Sequence, residues 1–177
     1  MKTNILFTAV LLITMSFGVQ AQRYAFIDTD YILEQIPAYK EAQAEIDAQA
    51  DKWQKQIEAR YGEIEKMYTA YKAEQVLLTP DMRKQKEQEI IEKEKRAKDF
   101  QKEKFGVNGE LFKLRQELVK PIQEEVFEAV QKMAEQRSYA VIFDKAASSS
   151  AIIYASPKYD QSDEILQRLG FSADTEE

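Results

Sequence analysis

The sequence predicts an α+β chain: a long antiparallel helical hairpin, a coiled-coil arm, standing on a small β-sheet body. Three observations predict it. Apolar residues at 39, 42, 46, 50, 53, 57, 61, 64, 68 and 71 recur at steps of three and four, the seam of one helix packed on another. Leu77-Leu78-Thr79-Pro80-Asp81 then interrupts the charged helical pattern, with Thr79 placed to cap a second helix and Pro80 to open it. Short runs of strand formers flank this region, at residues 23–28 before it and 139–143 after it.

A reversal at Thr79 carries a numerical expectation: position n faces a residue near 158 minus n. Pro37 then faces Pro121, Tyr39 faces Val119, Ala44 faces Leu114 and Ile46 faces Phe112. Trp53 faces Phe105, Tyr61 faces Ala97, Met67 faces Ile91, Tyr68 faces Ile90 and Val76 faces Met82. Apolar meets apolar throughout, except at Ile64 (opposite Glu94) and Ala42 (opposite Gln116). At ~1.5 Å of rise per residue, arms of ~40 residues reach roughly 60 Å.

Taken in order, residues 1–21 read as a secretory signal peptide. Lys2 supplies a positive charge, an apolar run covers residues 5–19, and Val19-Gln20-Ala21 is a small-residue cleavage site, so cleavage is expected after Ala21. The run is too short for a stable membrane span, and the absence of cysteine excludes a lipoprotein. The expected mature chain has 156 residues, and losing Lys2 leaves 24 basic against 31 acidic residues, a net charge of −7. That balance argues against nucleic acid as a main partner. Zero cysteine and zero histidine remove disulfides, the usual zinc ligands and the commonest general base. No glycine-rich phosphate loop is present, so neither a cofactor nor ATP chemistry nor an enzymatic constellation is expected.

Residues 37–120 form the expected arm; residues 22–36 and 121–177 form the body. A body of ~70 residues buries a marginal core, and oligomerisation is the natural remedy. Asp28-Thr29-Asp30 reads as the cap of a short helix carrying Tyr31, Ile32 and Leu33; as a metal loop it lacks a third ligand. Between Arg83 and Arg96 the only apolar residues are Ile90 and Ile91, so the tip half should open more easily than the base half, which carries Phe100, Phe105, Leu111, Phe112, Leu114 and Leu118. Gly106 and Gly109 sit inside the second arm, and two readings stand side by side: they make room for the Trp53 indole, or they form an arm hinge. Pro121 bends or interrupts the helix, which then runs to about Arg137.

Residues 139–143 form a buried strand, residues 144–150 a polar turn, and Ala151-Ile152-Ile153-Tyr154 its hairpin partner. Ser148-Ser149-Ser150 beside Lys145 reads as a loop of small residues rather than a Ser-Lys nucleophile pair. After Pro157 a short helix runs from about Asp163 to Leu169, with Ser162 as its N-cap and Gly170 just past its end, before an acidic tail.

These features occur in a particular order: signal peptide, strand Tyr24-Ala25-Phe26-Ile27, short helix, helical hairpin, Gly109-Glu110, Leu118-Val119-Lys120-Pro121-Ile122, second strand, Tyr154 and Asp160-Gln161-Ser162-Asp163. In this combination the chain resembles the OmpH/Skp family of periplasmic chaperones over essentially its whole mature length. The resemblance implies a homotrimer whose strands form a small β-barrel and whose three arms enclose a cavity. It implies a holdase, independent of ATP, for unfolded outer-membrane proteins in the periplasm. The rival reading is a structural coiled-coil or adaptor protein of the cell envelope. Under the first reading, Tyr61, Tyr68, Tyr71, Leu77, Leu78 and Met82 are the expected apolar client contacts, with Arg83, Lys84 and Lys86 as a basic cluster near the tip. Val76 joins them at the tip, where these groups either close the hairpin or touch clients. Phe26, Val141, Ile142, Phe143, Ile152 and Tyr154 are the expected trimerisation residues.

Overall fold

The computed structural model describes residues 23–147 and 152–172. The expected signal peptide, Gln22, Ser148-Ser149-Ser150, Ala151 and the tail from 173 lie outside them. Strand β1 (Arg23–Ile27) leads through Asp28 into helix α1 (Thr29–Glu34). The arm follows as α2 (Pro37–Glu74), α3 (Pro80–Phe105) and α4 (Glu110–Leu118). Helix α5 (Lys120–Arg137) returns to the body, where strand β2 (Tyr139–Asp144), a 3-10 turn (Pro157–Tyr159) and α6 (Ser162–Arg168) complete the chain.

The two strands pair in parallel, with Phe26 beside Phe143 and Ala25 beside Ile142. Parallel neighbours need a long crossover, and here the whole arm plus α5 is that crossover. Alternation along the strands divides the sheet into two faces. Ala25, Ile27 and Ile142 point inward, whereas Tyr24, Phe26, Val141 and Phe143 line the outer face. The core beneath gathers Ile27, Ile32, Leu33 and Ile36 with Val126, Ala129 and Met133 of α5 and Ile165 and Leu166 of α6.

Polar groups tie these pieces at their ends. The Asp28 carboxylate caps α1 by accepting from the Tyr31 amide at 3.1 Å. Asp144 accepts from both the amide (3.1 Å) and the hydroxyl (2.7 Å) of Thr29. Ser162 is buried; its hydroxyl accepts from the Asp28 amide at 2.9 Å and donates to Asp160 at 2.6 Å. It therefore opens α6 as the first helical residue, and Gln161 takes the cap position expected of Ser162. Lys145 donates to Asp160 at 2.6 Å, which raises the Lys145 pKa. Burial pushes Asp160 upward, but the hydrogen bonds from Lys145 and Ser162 outweigh it and hold the carboxyl below its ordinary value. At the far end of α6, Gly170 adopts φ +85, and the Phe171 amide reaches back to the Leu166 carbonyl at 2.9 Å. That left-handed residue is where glycine is needed.

One element is corrected. Residues 152–154 do not form the hairpin partner of β2. Lys145 extends the parallel ladder, its amide bonding the Ile27 carbonyl at 2.8 Å, and its ammonium lies on Asp160. The returning chain docks beside β1 instead of β2: Phe26 bridges to Asp160, and the Phe26 carbonyl accepts from the Gln161 amide at 2.8 Å.

The arm reverses where expected. Thr79 caps α3 by accepting from the Met82 amide at 3.3 Å, with Pro80 in the first turn. Trp53 meets Phe105 edge-on at 6.2 Å, and Tyr71 hydrogen-bonds Glu87. Glu63 pairs with Lys93 at 2.7 Å and Glu74 with Lys86 at 3.4 Å. Every one of these pairs sums to within two of 158. The individual facings are less regular. Ile64 and Ala42, the expected exceptions, are buried, whereas Tyr68 is 48% exposed and Ala44 lies at the surface. A knob enters a hole between several residues of the facing helix, so one-to-one opposition describes the register and not the burial. Glu63→Cys combined with Lys93→Cys should close a disulfide within one chain under mild oxidation. Glu63→Cys with Glu89→Cys, one turn away, should not. Faster closure of the offset pair, read on a denaturing gel, would move the reversal point.

Candidate functional site

The arm exposes apolar groups in a charged field. Val76 and Leu77 are 85% and 87% exposed at the tip, and Met82 is 48% exposed beside them. Leu78 is half-buried against the cluster of Ile64, Tyr71, Ile90 and Ala97, so it closes the hairpin. Tyr61 and Tyr68 are presented along α2, the latter with the Lys72 ammonium 4.9 Å from its ring centre. Tyr71 is different: it is buried, and its hydroxyl donates to the Glu87 carboxylate, a bond that with burial raises the phenol pKa. It joins the two helices rather than facing outward, because it falls on the seam together with Ile64. Arg83, Lys84 and Lys86 are exposed, and Lys86 is paired with Glu74. Sequence reasoning passed over Ile91, Val107 and Phe112 as surface groups, although they are 57%, 91% and 42% exposed. For Ile91 a signal existed: adjacent residues lie about 100° apart on a helix, so Ile90 and Ile91 cannot both enter one seam.

Midway along the arm, aromatic rings and cations stack. Lys104 lies 5.4 Å from the Trp53 ring and 5.5 Å from Phe100, and Arg60 caps Phe100 at 4.3 Å. Immediately beyond, the second arm breaks. Gly106 and Gly109 do not lie inside a continuous helix; they end α3 and begin α4. The Gly106 amide donates to the Lys102 carbonyl and the Gly109 amide to the Gly106 carbonyl, both at 2.8 Å. Their φ angles of −65 and −73 suit any residue. Glycine is needed for room. A Cβ on Gly106 would lie 2.3 Å from the Lys102 oxygen, and one on Gly109 would lie within 2.9 Å of three backbone atoms. The space is thus taken by the turn's own backbone, not by the Trp53 indole.

In the body, the outer sheet face is aromatic. Tyr24 packs on Phe26 at 5.9 Å and Tyr159 at 5.2 Å, and Phe26 stacks on Phe143 at 5.5 Å. Tyr24, Val141, Phe143 and Tyr159 remain 39–47% exposed, an apolar surface that no other described residue covers. Of the expected trimerisation residues, Phe26, Val141 and Phe143 line this face. Ile142 instead packs inward on the core, because it alternates with Val141 and Phe143. Ile152 is half-buried and Tyr154 is 77% exposed, both beyond the sheet.

A chain with two apolar strand runs, one uncovered sheet face and a hairpin arm held in this register can be compared with known families. The model of the family described as outer membrane protein (OmpH-like) matches residues 23–169. The chain belongs to the OmpH-like family. No curated protein sequence matches it. The crystal structure of an OmpH-like outer membrane chaperone candidate from Caulobacter crescentus CB15 has the same fold, with a TM-score of 0.63 over 86% of each chain at 13% identity. OmpH-like membership supports a chaperone role and a link to outer-membrane proteins. No helix among the described residues is long and apolar enough to cross a membrane.

Proposed function

We propose that this OmpH-like chain is a periplasmic holdase, independent of ATP, that works as a homotrimer and holds unfolded outer-membrane proteins between its arms. The observation that carries the reading is the scatter of exposed apolar groups along a charged hairpin, from Phe112 and Val107 through Tyr68 to Leu77 and Val76. Such groups offer many weak contacts to a client with no fixed shape. Helix α2 has 38 residues and is therefore about 57 Å long, enough for three arms to wall a space. The outer sheet face supplies the surface that gathers the arms. The glycine break is a candidate hinge that lets the space vary. A structural coiled coil or an adaptor would recognise one folded partner instead. The distinguishing experiment dilutes several unrelated denatured barrel proteins into buffer without nucleotide and follows turbidity. A holdase suppresses aggregation of all of them near one trimer per client; an adaptor protects none or one.

Salt separates the forces involved. Residues 38–78 carry six basic and eight acidic side chains, and residues 83–104 carry nine and six, so the arm is nearly neutral. Screening over ~8 Å removes little from such a surface, and apolar burial survives moderate salt. Client affinity should change less than about threefold between low and physiological salt, under ~1 kcal/mol. A titration showing a tenfold loss would assign binding to Arg83, Lys84 and Lys86.

A further inference from the structure

Asn108 is the only asparagine from residue 22 onward, and a glycine follows it. Asparagine is among the chemically labile residues. This one stands in the break between α3 and α4, where the second arm is not helical. Asn108 is exposed, as is its neighbour Val107. The Asn108 side-chain amide has no hydrogen-bond partner among the described residues. Its Cγ is therefore free to meet the next backbone nitrogen, that of Gly109. Within a helix that nitrogen would be bound to the carbonyl four residues back. Here it is held by the Gly106 carbonyl at 2.8 Å, a bond of the turn.

Two demands meet at residue 109. The turn needs glycine there for room, since an added Cβ would meet three backbone atoms. Glycine is also the residue that least obstructs attack by its own nitrogen, having no side chain and the freest backbone torsions. The packing that forces glycine into the break thus places a reactive pair on the arm.

We propose that Asn108-Gly109 is a self-modification site, at which the break rewrites its own backbone when the turn opens. Opening frees the Gly109 nitrogen from Gly106. The nitrogen gives its proton to solvent base and attacks Cγ of Asn108. The new N–Cγ bond closes a succinimide ring, and the side-chain nitrogen takes a proton from water and leaves as ammonia. Water then opens the ring at either carbonyl. Opening at Cγ leaves aspartate. Opening at the main-chain carbonyl leaves isoaspartate, whose backbone runs through Cβ and Cγ and is one atom longer. That carbonyl is the more electrophilic, drawn by the adjoining amide, so the iso form dominates. Either product adds a carboxylate ahead of α4, whose Gly109 cap position has no side-chain acceptor. The longer backbone of the iso form must also give up the bond between Gly109 and Gly106.

One fragment reports the reaction. Trypsin releases Asn108 between Phe105 and Lys113, in a stretch without glutamine, and the chain has no Asp-Gly pair. The folded chain from Gln22 onward is held in mildly alkaline buffer, sampled over time and compared with the starting sample by digestion and mass spectrometry. The fragment should gain the mass of an amide-to-acid exchange and accept methyl groups from an isoaspartate methyltransferase. Asn108→Ser should do neither. The synthetic fragment, with no turn to hold Gly109, should convert at least about fivefold faster than the folded chain. Converted chain, separated by anion exchange, should melt at least about 2 °C below the starting chain. A folded chain that stays unconverted while the fragment is consumed would overturn the proposal. Equal rates would overturn the gating by the turn, and an unchanged melt would overturn the remodelling of the break.

Discussion

Phe143→Asp should leave the chain monomeric at micromolar concentration and abolish its protection of unfolded barrels. Phe143 is 43% exposed on the outer sheet face and stacks on Phe26 at 5.5 Å. Within one chain an aspartate there can still reach water, so the fold survives. In an assembled body that face is covered, and an unpaired buried charge costs roughly 3–5 kcal/mol. Association should weaken more than about a hundredfold. Light scattering with a circular dichroism spectrum separates loss of assembly from loss of fold. Unchanged mass would mean that subunits meet elsewhere.

Gly109→Ala and Gly62→Ala should move stability in opposite directions. Gly62 lies within α2, with nothing within 4 Å of an added Cβ. Alanine there removes backbone entropy from the unfolded chain and should stabilise by ~0.5–1 kcal/mol. At Gly109 the added carbon meets backbone oxygens and a nitrogen at 2.7–2.9 Å. Backbone yields less readily than a side-chain end, so the turn must open, at about 1–3 kcal/mol. A chain of this size shifts its melting midpoint by roughly 2–4 °C per kcal/mol, so the two variants should separate clearly in a thermal melt. If Gly109→Ala melts higher instead, the break has been replaced by continuous helix. Its range of client sizes should then narrow if the break is a hinge.

The arm was legible because helical periodicity and a Thr-Pro cap are local signals. The register at Trp53 and Phe105, and at Tyr71 and Glu87, followed from the reversal point alone. Which seam residues are buried was less legible: Tyr68 and Tyr71 satisfy the same spacing, yet only Tyr71 enters the seam. The break at Gly106 and Gly109 was visible as composition but not as a turn, since glycine within a helix and glycine between helices read alike. Strand pairing was the least legible. Residues 139–143 and 151–154 have the spacing of a hairpin, and nothing local shows that β2 will pair instead with β1, more than a hundred residues earlier, or that Phe26 will bridge to Asp160. Long-range polar ties of this kind leave no periodic trace.

A native mass measurement of the client-loaded complex tests the cage most directly. The chain from Gln22 onward is mixed with one unfolded barrel protein, without nucleotide, below the client's aggregation limit. A cage requires one client with three chains, and no complex of a client with a single chain. A client bound by one chain, or a trimer that leaves the client free, would contradict it.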